Sequence, residues 1–223
     1  LKAKGAQHTE AAGWERPKCF LEGGAIEEPS FHHNNTFTVT AEECRAVRER
    51  VGILDLSSFA KFDVTGAGAR AFLSRIVANR IPKKDGGIVL AHLLGENGRM
   101  HGEVTISRLA EDHYYLLSGA AAQHRDLDHL ALSVLDGEQV NIADITDDYG
   151  VLVLAGPKSR EVLSAVTDED LSNESFRWLT GHQIDIGGAA VRALRVNYVG
   201  ELGWELHAPM ADLPAIYDTL WAA

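Results

Sequence analysis

Three stretches of the chain carry residue types able to do chemistry, and each also admits a plain structural reading. Gly66-Ala67-Gly68-Ala69-Arg70-Ala71 matches the G-x-G-x-x-A pattern at a strand-to-helix turn, where a glycine-rich loop can cradle a pyrophosphate. A related segment, Gly156-Pro157-Lys158-Ser159, keeps only the first glycine. Ile81 to Gly87 reads as loop where a dinucleotide fold needs a second parallel strand ending in an acid. The shared requirement is therefore a tight turn. His32-His33-Asn34-Asn35 offers metal-ligating types, but adjacent side chains of an extended segment point apart and no third ligand lies at a useful spacing, so it reads as a polar loop. On the alternating stretch around Glu103, His101, Glu103 and Thr105 share one face while Val104 and Ile106 share the other. A carboxylate there can act on a cation or a proton, and the same face can equally be plain solvated surface. No Gly-x-Ser-x-Gly elbow, P-loop or oriented Cys-His pair occurs, which removes acyl and phosphoryl transfer.

Bulk properties narrow the classes further. With 223 residues, 45% of them hydrophobic, the chain can bury one large core or two small ones. A formal charge of -11, from 32 acids against 21 bases, opposes the basic stripe of a phosphate-neutralising protein, so nucleic acid is not an expected partner. Apolar runs such as Val151 to Ala155 fall far short of the roughly 20 residues that span a bilayer, and no membrane segment is expected. Cys19 and Cys44 lack C-x-x-C spacing and are too few for a disulfide framework; a reduced intracellular setting is the simplest reading, with one disulfide left open. The start at Leu1 without a signal pattern, and the stop just after the apolar Ile216 to Trp221 stretch, lead to the expectation of a piece cut from a longer chain.

The elements that must position these residues are organised by an internal repeat. "FDVTGAGARAFLSRI" from Phe62 resembles "LVLAGPKSREVLSAV" from Leu152, and a constant shift of 90 residues carries Gly66 to Gly156, Leu73 to Leu163, Gly98 to Gly188, Tyr114 to Trp204 and Leu130 to Leu220. Each copy reads as strand, glycine turn, helix, connection, a hairpin of alternating strands and a closing helix. In the first copy these are Lys61 to Thr65, Ala69 to Val77, Gly87 to Leu94, Gly102 to Leu109, His113 to Ser118 and Gln123 to Leu132. In the second they are Gly150 to Ala155, Ser159 to Val166, Gln183 to Ile186, Val191 to Val196, Trp204 to Ala208 and Leu213 to Trp221. An α+β fold with mixed, mainly antiparallel sheets follows, divided into an N-terminal segment (1–60), a first repeat unit (61–145) and a second (146–223). Before the repeat, a turn-rich stretch from Glu22 to Asn35 leads to a helix expected over Ala41 to Arg50, capped by Thr40 with Glu43 as capping-box partner.

Four strings in order, "GWERP" from Gly13, "CRAVRERVGILDLSSFAKFDVTG" from Cys44, "NGRMHGEVTISRL" from Asn97 and "NYVGELGWELHAP" from Asn197, resemble the folate-binding aminomethyltransferase family, whose type member is the glycine cleavage T-protein. Trp14 to Pro17 and Tyr198 to Glu205 are worded most like the C-terminal folate regions of dimethylglycine and sarcosine dehydrogenases. The resemblance implies tetrahydrofolate as cofactor, with FAD confined to a flavin domain upstream of this chain and the family's C-terminal domain absent. It places a catalytic carboxylate at Glu103, where T-proteins carry Asp-Asp and this sequence has Gly102-Glu103. It makes Glu201 the partner of the pterin ring, since a carboxylate can accept two parallel hydrogen bonds from N3–H and the 2-amino group. Tyr198 would supply an aromatic or hydroxyl contact nearby, or else be a core aromatic. Trp204, matched by Tyr114 in the repeat, reads as core, and Trp14 and Arg16 would shape the folate surface or simply dock the chain entry.

The implied activity is capture of the carbon of an iminium intermediate by tetrahydrofolate, giving 5,10-methylenetetrahydrofolate, in an FAD-dependent N-methylamine oxidoreductase. Glu103 would serve as base or as charge stabiliser. The alternatives are a free-standing aminomethyltransferase of glycine cleavage type and a non-catalytic folate-binding or structural module. The expected compartment is the cytoplasm, or the mitochondrial matrix in a eukaryote.

Overall fold

The computed structural model describes residues 1–223. It opens with a hairpin, β1 (Ala6–Ala11) and β2 (Trp14–Phe20), followed by helix α1 (Phe37–Glu49) and strand β3 (Gly52–Asp55). The first repeat copy then supplies β4 (Ala60–Thr65), α2 (Ala69–Ile76), β5 (Ile88–Leu94), β6 (Met100–Ala110), β7 (His113–Ser118) and α3 (Gln123–Leu132). After β8 (Asn141–Asp144) the second copy supplies β9 (Tyr149–Ala155), α4 (Ser159–Ser164), β10 (Gly181–Ile186), β11 (Ala189–Leu194), β12 (Gly203–Pro209) and α5 (Leu213–Ala222). The architecture is α+β, and every strand pairing in it is antiparallel.

Period-two alternation decides which face of each strand is buried. Val104 and Ile106 of β6 enter a core with Phe62, Phe72, Leu73 and Leu130, while Leu152, Leu154, Trp204 and Leu206 build the equivalent core beneath α4 and α5. Each such side chain contributes about 1.5–3 kcal/mol when fully buried. Trp204 and its mate Tyr114 are both completely covered, so both serve packing.

The strand orders, β5-β6-β7-β4-β8 and β10-β11-β12-β9-β3, repeat one another. The fifth strand of each sheet comes from the segment that precedes the other copy: β3 leads into β4 yet pairs with β9, and β8 leads into β9 yet pairs with β4. This exchange ties the two sheets together covalently. The glycine turns seal it. Gly66 (φ 112°) and Gly156 (φ 132°) both adopt left-handed backbone, and the amides of Gly68 and Lys158 donate to the carbonyls of Gln139 and Arg50 at 3.0 and 2.9 Å. In the G-x-G-x-x-A segment the Gly68 amide is thus spent on packing, as expected of a turn and unlike a phosphate cradle.

Three local features depart from the sequence reading. Helix α1 starts four residues before the expected Ala41, because Asn34 Oδ1 accepts from both the amide and the hydroxyl of Thr36 and turns the chain there. Thr40 is then an interior residue whose amide donates to the Thr36 carbonyl at 2.9 Å. The β1–β2 hairpin turns at Ala12-Gly13 with φ 54° and 79°, using alanine where Asn or Asp would give the recognisable signal. In β6 a bulge skips His101: Gly102 faces Leu93 and Met100 faces Leu94, so strict alternation fails at that residue.

Candidate functional site

Glu103 projects from the middle of β6, opposite His92 of β5, and its carboxylate lies 3.2 Å from His92 Nε2 with the side chain 54% exposed. It shares its face with Thr105 and not with His101. The bulge turns His101 toward α3, where its ring stacks on His129 at 4.2 Å and its Nε2 lies 3.9 Å from buried Asp126. A Cβ at Gly102 would stand 3.0 Å from Arg125 Nη2 and 3.1 Å from an Asp126 carboxylate oxygen, a tight fit to which these two side chains would have to yield. Burial and the neighbouring His101 push the His129 pKa down.

Tyr198 and Glu201 lie in the connection between β11 and β12. Gly200 turns the chain there at φ 83°, and the Leu202 carbonyl is fixed by the Gly156 amide at 2.8 Å and by Ser159 Oγ at 3.0 Å. Arg48 of α1 donates to Glu201 Oε1 at 2.7 Å, leaving Glu201 with 20% of its side chain exposed. Tyr198 is 96% exposed, which excludes the core-aromatic alternative. No hydrogen bond or ion pair joins Glu103 to either residue. The arrangement consists of two separately supported carboxylates and one free aromatic ring.

Trp14 and Arg16 line a cleft of about 170 Å³ with Asp55, Ser57, Ser58, Met210 and Leu213, between the N-terminal hairpin and the second repeat. His32 and His33 are exposed, and the His33 ring stacks on Phe37 at 3.8 Å. Both cysteines are free thiols. No helix is long and apolar enough to cross a membrane.

Sequence reasoning passed over a buried polar line at the seam between the sheets. Tyr115 of β7 bonds His207 Nδ1 at 3.0 Å, and His207 Nε2 bonds Glu205 at 3.3 Å, with His207 fully buried. Glu205 can only accept, so the His207 proton sits on Nε2 and Tyr115 donates to Nδ1. Burial lowers the His207 pKa and raises that of Tyr115. Close by, the fully buried Lys61 ammonium donates to the carbonyls of Ser57, Phe59 and Thr146 at 2.7, 2.8 and 3.1 Å; burial brings its pKa down to about 8. The available signal was the repeat itself, which sets Lys61 against Val151 and Tyr115 against Glu205.

Comparison with known proteins agrees with this architecture. Mitochondrial dimethylglycine dehydrogenase of Mus musculus is 37% identical over 215 residues, covering 95% of this chain and 25% of that protein. Mitochondrial sarcosine dehydrogenase of Homo sapiens is 29% identical over 263 residues, covering 100% of this chain and 29% of that protein. The chain thus spans about a quarter of the length of these relatives. The crystal structure of glycine cleavage system aminomethyltransferase T from Bartonella henselae superposes with a TM-score of 0.79 at 23% identity, covering 98% of this chain and 54% of that one, a likeness of fold. Residues 1–223 match the family described as GCVT N-terminal domain, and the chain belongs to that family.

Proposed function

We propose that this domain binds a reduced folate and acts as the one-carbon-transfer module of a dimethylglycine/sarcosine dehydrogenase-like protein, receiving an iminium carbon released by an FAD-dependent unit outside this chain. The observation that carries the reading is the state of Glu201: a largely covered carboxylate with one oxygen held by Arg48 and the other without a protein partner, in the same loop as the exposed Tyr198. Its free acceptor positions suit two parallel donors such as N3–H and the 2-amino group of a pterin. These acceptors therefore fit tetrahydrofolate, which when bound would supply the N5 nucleophile that captures the carbon as 5,10-methylenetetrahydrofolate.

The chain's own residues then have distinct tasks. Glu201 orients the ring, and Tyr198 offers an aromatic face and a hydroxyl. Ionised Glu103 would stabilise the cationic carbon or accept a proton from N10, and His92 at 3.2 Å is placed to hold its carboxylate. The net charge of -11 suits a cationic intermediate. The proposed compartment is the cytoplasm or, following the mitochondrial relatives, the mitochondrial matrix.

Calorimetric titration of the full-length protein with 5-formyltetrahydrofolate tests this. Glu201→Ala is expected to weaken binding about 100-fold, from loss of two charge-assisted hydrogen bonds, whereas its repeat mate in the first copy, Glu111→Ala, changes nothing. Glu103→Gln should bind within about threefold of wild type and lose on the order of 10²-fold in transfer rate. A wild-type protein that does not bind the folate sinks the proposal.

A further inference from the structure

We infer that Arg48, supplied by the N-terminal helix and by neither repeat, is the positioning residue that orients Glu201 for the pterin edge; this rests on the folate reading above. The two residues are 153 positions apart, yet Arg48 Nη1 donates to Glu201 Oε1 at 2.7 Å. The end of α1 from which Arg48 projects is itself fixed. The Arg50 carbonyl accepts the Lys158 amide at 2.9 Å, and the Gly156 turn packs so closely that a Cβ there would lie 2.5 Å from that carbonyl oxygen and 2.9 Å from the Val47 carbonyl. The same turn holds the backbone next to Glu201, through the Gly156 amide on the Leu202 carbonyl. Helix end, glycine turn and loop therefore form one supported unit, and Arg48 reaches across it.

The side chain of Glu201 needs this reach. Its neighbour Leu202 is anchored through the backbone, but Gly200 at φ 83° precedes it, and a glutamate has three rotatable bonds of its own. A carboxylate offers about four acceptor positions, of which Arg48 takes one, on Oε1. Acceptor capacity remains on both oxygens for a pair of donors, so the single bond from the guanidinium restrains Oε1 without using up the carboxylate. Arg48 is 77% exposed, so solvent screening weakens its charge, and orientation is the larger part of its effect.

The test uses the full-length protein titrated with 5-formyltetrahydrofolate, comparing Arg48→Ala and Arg48→Lys in the wild-type and Glu201→Ala backgrounds. Arg48→Ala should weaken binding about five- to tenfold, Arg48→Lys should recover part of that loss, and in the Glu201→Ala background Arg48→Ala should change affinity less than about twofold. A 2-desamino analogue of the same folate, which keeps N3–H but loses one of the two donors, should lose less affinity on Arg48→Ala than the parent folate does. Equal loss in both backgrounds would mean that Arg48 merely supports the fold and would overturn the inference. So would tighter binding by Arg48→Ala, which would make Arg48 a competitor for Oε1, or no change at all while Glu201→Ala still weakens binding. Absence of wild-type binding would instead overturn the folate reading, and the inference with it.

Discussion

In the first repeat copy, β6 runs from Met100 to Ala110 and returns through the short turn Glu111-Asp112; in the second, β11 stops at Leu194 and the chain makes a loop before β12 begins at Gly203. The 90-residue shift aligns Tyr198 with Arg108, Glu201 with Glu111, and Glu103 with Ala193. Arg108 is tied down by Asp85 and the Lys83 carbonyl at 2.7 and 2.8 Å, while Tyr198 is bare; Ala193 is fully buried, while Glu103 is open. The copies keep a common skeleton and put their candidate chemistry where they differ. The same shift shows what is shared: the glycine turns, the strand order and the exchanged fifth strands.

The strongest challenge to this comparison is to substitute a shared element in both copies. Gly66→Ala places a Cβ 2.3 Å from the Gln139 carbonyl oxygen, and Gly156→Ala places one 2.5 Å from that of Arg50, each at a strongly positive φ. Backbone strain and the forced shift of a packed carbonyl should cost about 3 kcal/mol or more in either case. Urea denaturation of the two variants should therefore give similar losses. A variant that matches wild type would show that the two turns are not equivalent.

Most of this skeleton is legible in the sequence, because alternation and glycine turns are local signals. His113–Ser118 and Gln123–Leu132 form over the residues their pattern indicates, and the other repeat elements shift by a few residues at their ends. The missed strands β3 and β8 have four residues each and owe their existence to pairing with the other copy, which is a long-range fact. The His101 bulge escaped for a related reason. Alternation predicts a regular ladder, whereas the pairing with β5 shifts register between Leu93 and Leu94, beside the close approach of Gly102 to Arg125 and Asp126. For the candidate site, Glu103, Tyr198 and Glu201 were picked out through resemblance. Their supports, His92 and Arg48, were not, since nothing local marks a residue 153 positions away as a partner.

A second difference sharpens the comparison in a pH-dependent way. The first copy buries Lys61 where the second buries Val151, both with no exposed surface. Burial lowers the Lys61 pKa from 10.5 to about 8, against the attraction of Asp147, Asp144 and Asp55. Between those values the unfolded chain holds a proton that the folded chain has released, so stability from this group rises with pH across the window and is lost as pH falls toward 8. After allowance for solvent screening the gain is on the order of 1–2 kcal/mol. Cys19, whose pKa burial raises, acts in the opposite sense above its ordinary value, so the readout is a difference between proteins. Stability measured from pH 8 to 10.5 should rise less in Lys61→Met than in wild type, whatever the baseline cost of leaving three carbonyls unpaired. Parallel curves would show that Lys61 keeps its ordinary protonation behaviour in the fold.

An effect of similar size concerns the seam where the copies meet. Tyr115 and Leu117 face it from β7, and their mates Glu205 and His207 face it from β12, so an apolar surface bearing one hydroxyl meets an acid and an imidazole. With the His207 proton committed to Glu205, Nδ1 depends on the Tyr115 hydroxyl as its only donor, and no solvent reaches the fully buried ring. Tyr115→Phe keeps the aromatic packing, the T-shaped contact with His207 at 5.5 Å and the stacking under Arg192 at 4.9 Å, while removing that donor. The cost at pH 8 should be about 1–2 kcal/mol, the penalty for one unsatisfied buried acceptor, with an unchanged denaturant slope. A reduced slope would show that the sheets had begun to part and that the bond holds the seam closed. A cost near zero would show that the Tyr115–His207 bond adds nothing at the seam beyond the apolar packing, the exchanged strands and the backbone bonds of Gly181 to Gly86 and of Ile88 to Leu179.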